Sequence, residues 1–448
     1  MPEELILKEQ KKIFSFVHNY IKSLKGKINI ANSAICYFHN YGDYTSSSVL
    51  KLHFYGYKYF LRFTINIFKN FFSTIQTENF SCIKRKSKKS KKYKNFLISH
   101  VSKKDFLANG SYNDKYFGLN SSNYQNTLFF LNSIDGYFPK KLQENLIIFK
   151  KKKKSLSLKY FLNNLISFLI RDKLSFRKLF HQFNYLSQFS NKILPHLIRV
   201  IEENNFKRIV LFYEAQPYQN DLIHELKKKK IKTKTFGFYH SGLLPVHTSL
   251  AFRDGAPDKL LISGKFQKYY CEKYLRWPKN KVSNVESFRY SKSSIIFKKD
   301  KIYLPYSFSK PNTILASLEK FFRKSEIMSL PIFSIQNHPA TLNSIRHLKL
   351  INSIHKLINL HKSKFNKKSK NISIFIGSTT SVTLGLEQKK QIIHICEDPI
   401  FDSFNGGIWK DLIVTRLDKF IFKYSLKQNK HILNISKNNK NKIKKYLK

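Results

Sequence analysis

The sequence predicts an α/β fold with two domains, and three observations support this prediction. The chain has 448 residues, of which 42% are hydrophobic, and a single hydrophobic core stops growing near roughly 250–300 residues. From residue 95 onward, short apolar runs of strand length alternate with helical patterns, as in the βαβ units that build parallel sheets. A polar, basic stretch at residues 289–300 interrupts this alternation. We therefore expect two Rossmann-like domains that face a central cleft.

The first domain is expected to span residues 1–290. A lysine-rich run near residues 84–94 is too charged to bury and predicts a solvated insertion. Strands are predicted at residues 95–101, 127–131, 145–149, 208–213, 233–239, 259–262 and 282–286. Helices are predicted at residues 3–23, 156–170, 176–203, 218–230 and 265–274. Such repeated units give a parallel sheet with right-handed crossovers.

The second domain is expected to span residues 291–433. Its predicted strands cover residues 301–306, 331–335, 372–376, 391–396 and 412–415. Its predicted helices cover residues 311–324, 343–360 and 380–389. The remaining residues, 434–448, are rich in Lys and Asn, and we expect this basic tail to fray or to lie on the surface.

The formal net charge is +54, and two explanations stay open. The positive charge comes mainly from Lys beside abundant Asn, Ile, Phe and Tyr, residues that A/T-rich codons encode. The alternative is attraction to an anionic membrane surface or an anionic substrate. The amphipathic stretch at residues 58–75 fits an interfacial membrane helix or a helix packed on the core. A basic nucleic-acid-binding protein is a further alternative, although no binding module is recognisable.

Several function classes are excluded or disfavoured by what the sequence lacks. Four scattered cysteines, without CxxC spacing, indicate neither a disulfide framework nor a zinc site and fit a reducing cytoplasm. The first residues lack the apolar run of a secretion signal. No Walker A loop, GxGxxG fingerprint, HExxH helix or GxSxG elbow occurs in the right context. ATPases, Rossmann dehydrogenases, zinc proteases and α/β-hydrolases are therefore disfavoured.

Two polar residues follow neighbouring strands of the first predicted sheet. Glu214 comes where the strand RIVLFY stops, and His240 follows the next strand, beside Ser241 and Gly242. Ligands of open parallel sheets bind outside the carboxyl ends of the strands, so these side chains should converge on one crevice. A carboxylate there can act as a general base or nucleophile. Local pairing of Glu214 with the adjoining helix, which Pro217 opens, is the alternative.

The second predicted domain carries phosphate-binding candidates. His338 precedes Pro339, which restricts the backbone before it and so fixes the direction of the imidazole. After the strand that Gly377 ends, four hydroxyl side chains open a helix, where free backbone N–H groups favour anions. These residues are Ser378, Thr379, Thr380 and Ser381. An ordinary helix cap uses the same residue types, but four hydroxyls in a row exceed what a cap requires.

Glu397 and Asp398 follow the strand that comes after this helix. A carboxylate at such a strand end can hydrogen-bond the hydroxyls of a ribose. It can equally cap the next turn, and the sequence leaves both interpretations open.

At this point the residues resemble a known group. The stretches YEAQPYQNDLIHEL, TFGFYHSGLLP and PDKLLISGKFQKYY look like the core of bacterial surface-carbohydrate biosynthesis proteins, which have a GT-B-like glycosyltransferase layout. The HP and Ser/Thr-rich motifs further on resemble those of CMP-sugar transferases, namely the bacterial sialyltransferases and Kdo transferases. The resemblance covers roughly residues 207–404.

The resemblance implies an enzyme that transfers a sugar from a nucleotide donor to a lipid-linked or oligosaccharide acceptor in surface polysaccharide or lipopolysaccharide biosynthesis. His338 and residues 378–381 would hold the CMP phosphate, and Glu214 would be base or nucleophile. The family's acidic pair followed by Gly is here Glu214 followed by Ala215 and Gln216, so the catalytic carboxylate and inversion versus retention stay open.

The expected mechanism requires neither a metal nor a cofactor, because a helix start, His338 and nearby Lys side chains can neutralise the leaving phosphate. We expect a cytoplasmic protein that can bind peripherally to the inner face of the membrane. A polyol-phosphate transferase with a CDP donor and a non-catalytic scaffold of the same fold are the alternatives.

Overall fold

The structure is a computed structural model that describes most of the chain. It covers residues 2–23, 55–61, 64–65, 76–84, 92–133, 135–156, 185–290, 300–324, 330–338, 341–366, 371–388, 391–435 and 443–447. Two largely parallel sheets with flanking helices form its framework. The chain is an α/β protein with two Rossmann-like halves, as the alternation of apolar runs predicts.

The first sheet has eight strands in the order β1-β6-β5-β2-β7-β8-β9-β10. The strands are β1 (Gln76–Lys84), β2 (Asn95–Val101), β5 (Thr127–Ser133), β6 (Leu146–Leu156), β7 (Arg208–Phe212), β8 (Lys234–Tyr239), β9 (Lys259–Ile262) and β10 (Val282–Asn284), with a small hairpin of β3 (Asn113–Asp114) and β4 (Leu119–Asn120) between β2 and β5. All neighbours pair in parallel except β1, which lies antiparallel to β6. The strands that follow β2 in sequence, β5 and β6, lie on one side of it. From β7 onward, successive strands lie on its other side.

The second sheet has six strands in the order β13-β11-β15-β16-β18-β17. The strands of this half are β11 (Lys301–Tyr303), β12 (Leu330–Pro331), β13 (Ser334–Gln336), β14 (Phe365–Asn366), β15 (Ile372–Ile376), β16 (Gln391–Ile395), β17 (Leu412–Asp418) and β18 (Ile421–Leu426). The first four strands of the sheet pair in parallel, and β17 and β18 form an antiparallel hairpin at one edge. After β11, the next strand of the sheet, β13, lies on one side of β11, and β15 and β16 lie on the other side.

Nine helices are described, and none of these is long and apolar enough to cross a membrane. They are α1 (Glu3–Ser23), α2 (Tyr185–Asn204), α3 (Pro217–Lys228), α4 (Lys265–Tyr274), α5 (Pro311–Lys324), α6 (Ile345–Leu360), α7 (Ser381–Glu387), α8 (Pro399–Asp402) and α9 (Lys444–Leu447). The predicted helix at residues 156–170 lies almost wholly outside the described residues, as do the predicted domain boundary at 291–299 and residues 85–91 of the basic insertion.

One local expectation is wrong, and the structure adds strands that were not predicted. The strand predicted at residues 331–335 is two short strands, β12 and β13, because Pro331 has no N–H to continue a ladder. The hairpin partner β18 and the antiparallel edge strand β1 were not predicted. β6 also extends beyond the strand predicted at residues 145–149, since the backbone of the lysine-rich residues 150–154 pairs with β1.

The basic tail also departs from the prediction that residues 434–448 fray or lie on the surface. Tyr446 and Leu447 of α9 are buried against the first sheet. The Asn95 side-chain amide donates a hydrogen bond of 2.6 Å to the Leu447 carbonyl oxygen, and the rings of Phe236 and Tyr446 lie 5.5 Å apart. The apolar residues within the Lys- and Asn-rich tail therefore return the chain to the first half.

One hydrophobic cluster spans the two halves, and each half has a further cluster of its own. The Trp409 indole donates a hydrogen bond of 3.2 Å to the Pro245 carbonyl oxygen, and its ring stacks on Phe266 at 5.0 Å. In the same loop as Pro245, Gly242 faces Thr383 of α7, and a Cβ on Gly242 would lie 1.8 Å from Thr383 Oγ1. The loop after β8 therefore packs directly on α7.

Asp221 of α3 gives a stability prediction. Burial is the main cause that raises its pKa to about 7; the Glu225 carboxylate adds to this, and the Ser190 hydroxyl opposes it by donating a hydrogen bond. Between about pH 4 and pH 7 the folded chain keeps a proton that the unfolded chain has lost, so stability falls as pH rises. Asp221→Asn should remove this fall and stabilise the chain at pH 8 by up to about 4 kcal/mol.

Thermal unfolding of both proteins at pH 4.5 and pH 8 measures this difference. Asp411→Asn, at a half-buried carboxylate of the second half, serves as the charge-matched control. A variant at Asp221 that is less stable than the parent at pH 8 would contradict the burial argument.

Gly242→Ala should disturb the contact between the halves. The added methyl group must displace Thr383, so we expect destabilisation of about 1–3 kcal/mol, the usual cost of overpacking. Adding Thr383→Ala removes the closest atoms and should restore part of the loss. Chemical denaturation of the single and double variants measures the coupling, and strictly additive effects would argue against direct contact.

Candidate functional site

The carboxyl ends of four parallel strands of the first sheet enclose a pocket of about 480 Å³. These strands are β2, β5, β7 and β8. The pocket lies between β2 and β7, where the strand order reverses. Ligands of open α/β sheets bind at such switch points. The side chains that line it are Phe80, His100, Tyr116, Asn132, Ser133, Phe189, Phe212, Glu214, Gln216, His240 and Arg289.

Glu214 enters this pocket from the turn between β7 and α3. The buried Gln219 holds the turn, since its Oε1 accepts the backbone N–H groups of Glu214 and Gln216, both at 3.0 Å. The Gln216 amide donates to Glu214 Oε2 at 3.0 Å, so local pairing with the next helix is observed as well. Burial raises the pKa of Glu214, while Gln216 and the Arg289 cation oppose the rise.

His240 lies at the end of the next strand and lines the same pocket, as the strand-end argument predicts. Its side chain is 8% exposed, and its Nδ1 has no hydrogen-bond partner in the described structure. The ring contacts Phe212 at 4.6 Å and Tyr116 at 5.0 Å between centroids. Burial, with help from the Arg289 cation, lowers the pKa of His240 well below its usual range. The imidazole is therefore neutral near pH 7, with one nitrogen available to a ligand.

Four further residues of this pocket were missed. His100 and Asn132 end β2 and β5, and the Asn132 amide lies 3.1 Å from His100 Nδ1. Burial, aided by Lys115, lowers the pKa of His100 to about 4. The rule that selected Glu214 would have found both, had it been applied to these strand ends. Tyr116 and Arg289 lie in irregular segments, where no sequence pattern predicts convergence.

The loop that carries Tyr116 is held by one buried carboxylate. Asp114 Oδ1 accepts the backbone N–H groups of Tyr116 at 2.7 Å and Phe117 at 2.6 Å, and Asp114 Oδ2 accepts the Tyr112 hydroxyl. Lys115 lies between Asp114 and Tyr116 in sequence, and its Nζ lies 5.2 Å from the Tyr116 ring centroid. The wall of the pocket is thus built by hydrogen bonds and not by hydrophobic packing alone.

A second set of polar groups follows the parallel strands of the second sheet. Gly377 ends β15 with φ of +64°, and the His394 Nε2–H donates to its carbonyl oxygen at 2.7 Å. Ser378 is 8% exposed, and its hydroxyl has no partner among the described residues. The Ser307 hydroxyl, after the neighbouring β11, is likewise buried and unpartnered. Both hydroxyls lie at the switch point between β11 and β15.

Other hydroxyl residues predicted for this site take part in hydrogen bonds at the start of α7. Thr379 Oγ1 accepts the Ser381 N–H at 3.2 Å, which is a capping contact. The Thr380 carbonyl oxygen accepts both the N–H and the hydroxyl of Thr383. Thr380 is the N-cap of α7, although its side chain makes no capping bond. The ordinary-cap interpretation therefore applies to Thr379 but not to Ser378.

His338 follows β13 in the same sheet. Its backbone N–H donates to Asn337 Oδ1 at 2.9 Å, and its ring meets Tyr306 edge-on at 5.4 Å. Burial lowers the pKa of His338, and nearby His347 adds to the effect. Pro339 lies outside the described residues. The imidazole and the Ser307 loop are thus brought together by the adjacent strands β13 and β11.

Glu397 and Asp398 both make capping contacts. Glu397 Oε2 accepts the backbone N–H groups of Ser309 and Lys310, each at 2.6 Å, just before α5. Asp398 is the N-cap of α8, where its Oδ1 accepts the Ile400 N–H, and its Oδ2 accepts the Tyr55 hydroxyl at 2.5 Å. Of the two interpretations that the sequence leaves open, capping is the one observed.

No group of three metal-ligating side chains occurs among the described residues. The two strand-end regions instead meet through protein contacts, because the Gly242 loop, two residues after His240, packs on the helix that follows Ser378. Chemically, the arrangement offers a desolvated carboxyl group on one side and unpartnered hydroxyl donors on the other.

No protein-family model and no curated protein sequence matches this chain. Among solved structures, it is similar to a glycosyltransferase from Rickettsia africae, with 13% identity over 68% of this chain and 79% of that chain and a TM-score of 0.32. It is also similar to a UDP-GlcNAc 2-epimerase from Neisseria meningitidis, with 10% identity over 71% and 85% and a TM-score of 0.36. A sucrose-phosphate synthase from Thermosynechococcus elongatus gives 8% identity over 68% and 87% and a TM-score of 0.34. Neither a reaction nor a substrate is transferred from these similarities.

Proposed function

We propose that this chain is a glycosyltransferase. A nucleotide sugar would bind at the carboxyl ends of the second sheet, and an acceptor hydroxyl would bind in the pocket of the first. The observation that carries the proposal is the pairing of two switch points, each with buried polar atoms that lack partners, His240 Nδ1 on one side and Ser378 Oγ on the other. A buried polar atom without a partner is costly unless a ligand or water satisfies it.

On the acceptor side we assign the role of general base to Glu214. Its raised pKa makes the carboxylate a better proton acceptor than an exposed one. As the acceptor oxygen forms its bond to the anomeric carbon, its proton passes to Glu214. The bond between that carbon and the phosphate oxygen breaks, and its electron pair stays on the phosphate. Neutral His240 would orient the acceptor hydroxyl through Nδ1.

On the donor side we assign charge stabilisation to hydrogen-bond donors of the second sheet. The Ser378 and Ser307 hydroxyls would donate to phosphate oxygens, and His338 would bind beside them. Preorganised donors aimed at a leaving phosphate stabilise the charge that develops in the transition state. With these donors the proposed mechanism needs no metal ion and no cofactor.

The finer assignments rest on the resemblance of residues 207–404. We propose a CMP donor carrying a nonulosonic acid or Kdo, and a product that belongs to a bacterial surface polysaccharide or lipopolysaccharide. The acceptor would be lipid-linked or an oligosaccharide. Inversion and retention of configuration are both compatible with Glu214 as base or nucleophile.

We also propose peripheral binding to the inner face of the cytoplasmic membrane. Of the amphipathic stretch at residues 58–75, the apolar side chains that the structure describes are exposed: 58% for Phe60, 72% for Leu61 and 45% for Ile65. The preceding Tyr57 is 84% exposed. Apolar groups beside basic residues suit the interface of an anionic membrane.

Nucleotide binding tests the donor half of the proposal. In saturation-transfer NMR against CMP, UDP, GDP and CDP, we expect selective binding of CMP. Ser378→Ala should weaken that binding about tenfold, the typical loss of one hydrogen bond to a charged group. Ser353→Ala on α6, whose hydroxyl donates to the Lys349 carbonyl oxygen, is the matched control. Binding of none of the four would favour the scaffold, and preference for CDP would favour polyol-phosphate transfer.

The pH dependence of turnover tests Glu214. Because the base must be ionised, we expect kcat/KM to fall as pH decreases through a midpoint above 4.5, the ordinary pKa of Glu. Glu214→Gln should lower kcat at least about 100-fold, remove this acid limb and leave the KM for the donor nearly unchanged.

The control for this experiment is Glu225→Gln. Glu225 lies in the last turn of α3, and its carboxylate pairs with Lys228. It should keep the parent rate and the parent pH profile. A folded Glu214→Gln protein with the parent kcat would exclude this residue as the base.

A further inference from the structure

Arg289 is the charged residue of the acceptor pocket that the proposed function leaves without a task. Its guanidinium lies 5.7 Å from the Tyr116 ring centroid and 5.1 Å from the Tyr290 ring centroid. Within the described part of the chain these aromatic contacts are its only partners, although a guanidinium has five N–H donors in a planar fork. The side chain is half-buried at the pocket wall.

The other charges of the pocket do not neutralise this cation. Lys115, whose Nζ lies 5.2 Å from the Tyr116 ring centroid, pairs with Asp105 at 3.2 Å. Glu214 is the carboxyl group of the pocket lining, and the Gln216 amide binds its Oε2. No carboxylate oxygen of the described residues comes within 4 Å of the Arg289 nitrogens. As far as the structure describes the chain, Arg289 is therefore an unpaired cation in the same pocket as the buried, unpartnered Nδ1 of His240.

We propose that the acceptor carries an anionic group, a carboxylate or a phosphate, and that Arg289 binds it while the reacting hydroxyl lies at Glu214. This inference rests on the proposed function, because it specifies the substrate class of the same pocket. Arg289 is then a specificity-determining residue. Two parallel N–H donors match the two oxygens of a carboxylate or phosphate, a geometry that a lysine ammonium cannot reproduce.

The two tyrosine rings explain how the fork is held. A guanidinium stacked against aromatic faces loses little freedom when it binds, because its plane is already oriented. Tyr116 itself is fixed by the Asp114 hydrogen bonds to its loop. The positive pocket therefore does not depend on a flexible surface side chain.

Binding of the anion also acts on the base. Arg289 is one of the two groups that oppose the rise of the Glu214 pKa. An anion that neutralises this cation removes the opposition, so the carboxylate becomes a stronger proton acceptor when the acceptor is in place. Acceptor binding and base strength are coupled through one guanidinium.

The experiment compares three methyl glycosides that differ only at carbon 6: methyl β-D-glucuronide, methyl β-D-glucoside 6-phosphate and neutral methyl β-D-glucoside. Saturation-transfer NMR without any nucleotide measures their binding to the full chain. We expect at least one of the two anions to bind about ten- to hundredfold tighter than the glucoside, the range for hydrogen bonds to charged groups. The two anionic arms distinguish a carboxylate from a phosphate.

Three variants assign the effect to Arg289. Arg289→Gln should abolish the preference for the anion, and Arg289→Lys should recover only part of it while preserving the charge. Arg323→Gln, an exposed arginine paired with Glu319 on α5, removes the same charge elsewhere and should change nothing. Thermal melts confirm that each variant is folded, and the lysine variant provides the test if the glutamine variant is not.

Equal binding of all three sugars overturns the inference, and so does an anion preference that survives in Arg289→Gln. Because no donor is present, the result is independent of transfer activity. An Arg289-dependent anion preference in a protein without nucleotide binding would retain the anion site and reject the glycosyltransferase. Nucleotide binding without an anion preference would retain the glycosyltransferase and reject the anion site.

Discussion

The packing of Gly242 on Thr383 is the contact on which the proposed site depends. The loop after β8 and the helix after Ser378 approach so closely that a Cβ on Gly242 would lie 1.8 Å from the threonine hydroxyl oxygen. Trp409 reinforces the approach by donating to the Pro245 carbonyl oxygen in the same loop. His240 and Ser378 precede these two residues in sequence, and the proposed site therefore places the polar strand ends of the two sheets on either side of this contact. The shared hydrophobic cluster follows from the same packing.

Strand order explains why the polar residues gather where they do. In each sheet the strand order reverses beside the first parallel strand, which is β2 in one half and β11 in the other. Later strands are added first on one side of that strand and then on the other. The loops at such a point diverge and leave space for a ligand. Buried atoms without partners, namely His240 Nδ1, Ser307 Oγ and Ser378 Oγ, occur at these two points. Each costs about 1–3 kcal/mol if nothing binds it, which is a reason to expect a ligand.

Much of the framework could be predicted from local patterns. The strands at Arg208–Phe212, Ile372–Ile376 and Lys259–Ile262 are apolar runs between helical segments, and they occur where the patterns indicate. Strand ends then locate Glu214 and His240 on one pocket, because parallel strands share an edge. These predictions need only neighbours in sequence and the geometry of a parallel sheet.

The remainder depends on contacts between distant segments. Arg289 enters the pocket from beyond β10, and Leu447 returns from the tail to Asn95, so no local period indicates either. The capping bonds of Glu397 depend on where α5 begins, some ninety residues earlier in the chain. A sequence pattern can name a carboxylate at a strand end, but only the tertiary arrangement decides whether protein donors or a ligand occupy its oxygens.

The most direct test of the central claim, one transfer site built from two strand ends, is histidine side-chain NMR. With ¹³C-histidine labelling and assignment through His240→Gln and His338→Gln, the account predicts that the nucleotide shifts the His338 resonance. It predicts that the acceptor shifts His240 and that adding both perturbs each resonance beyond its single-ligand position. A nucleotide that leaves His338 unchanged, or two ligands whose effects on His240 and His338 are fully independent, would contradict a single site.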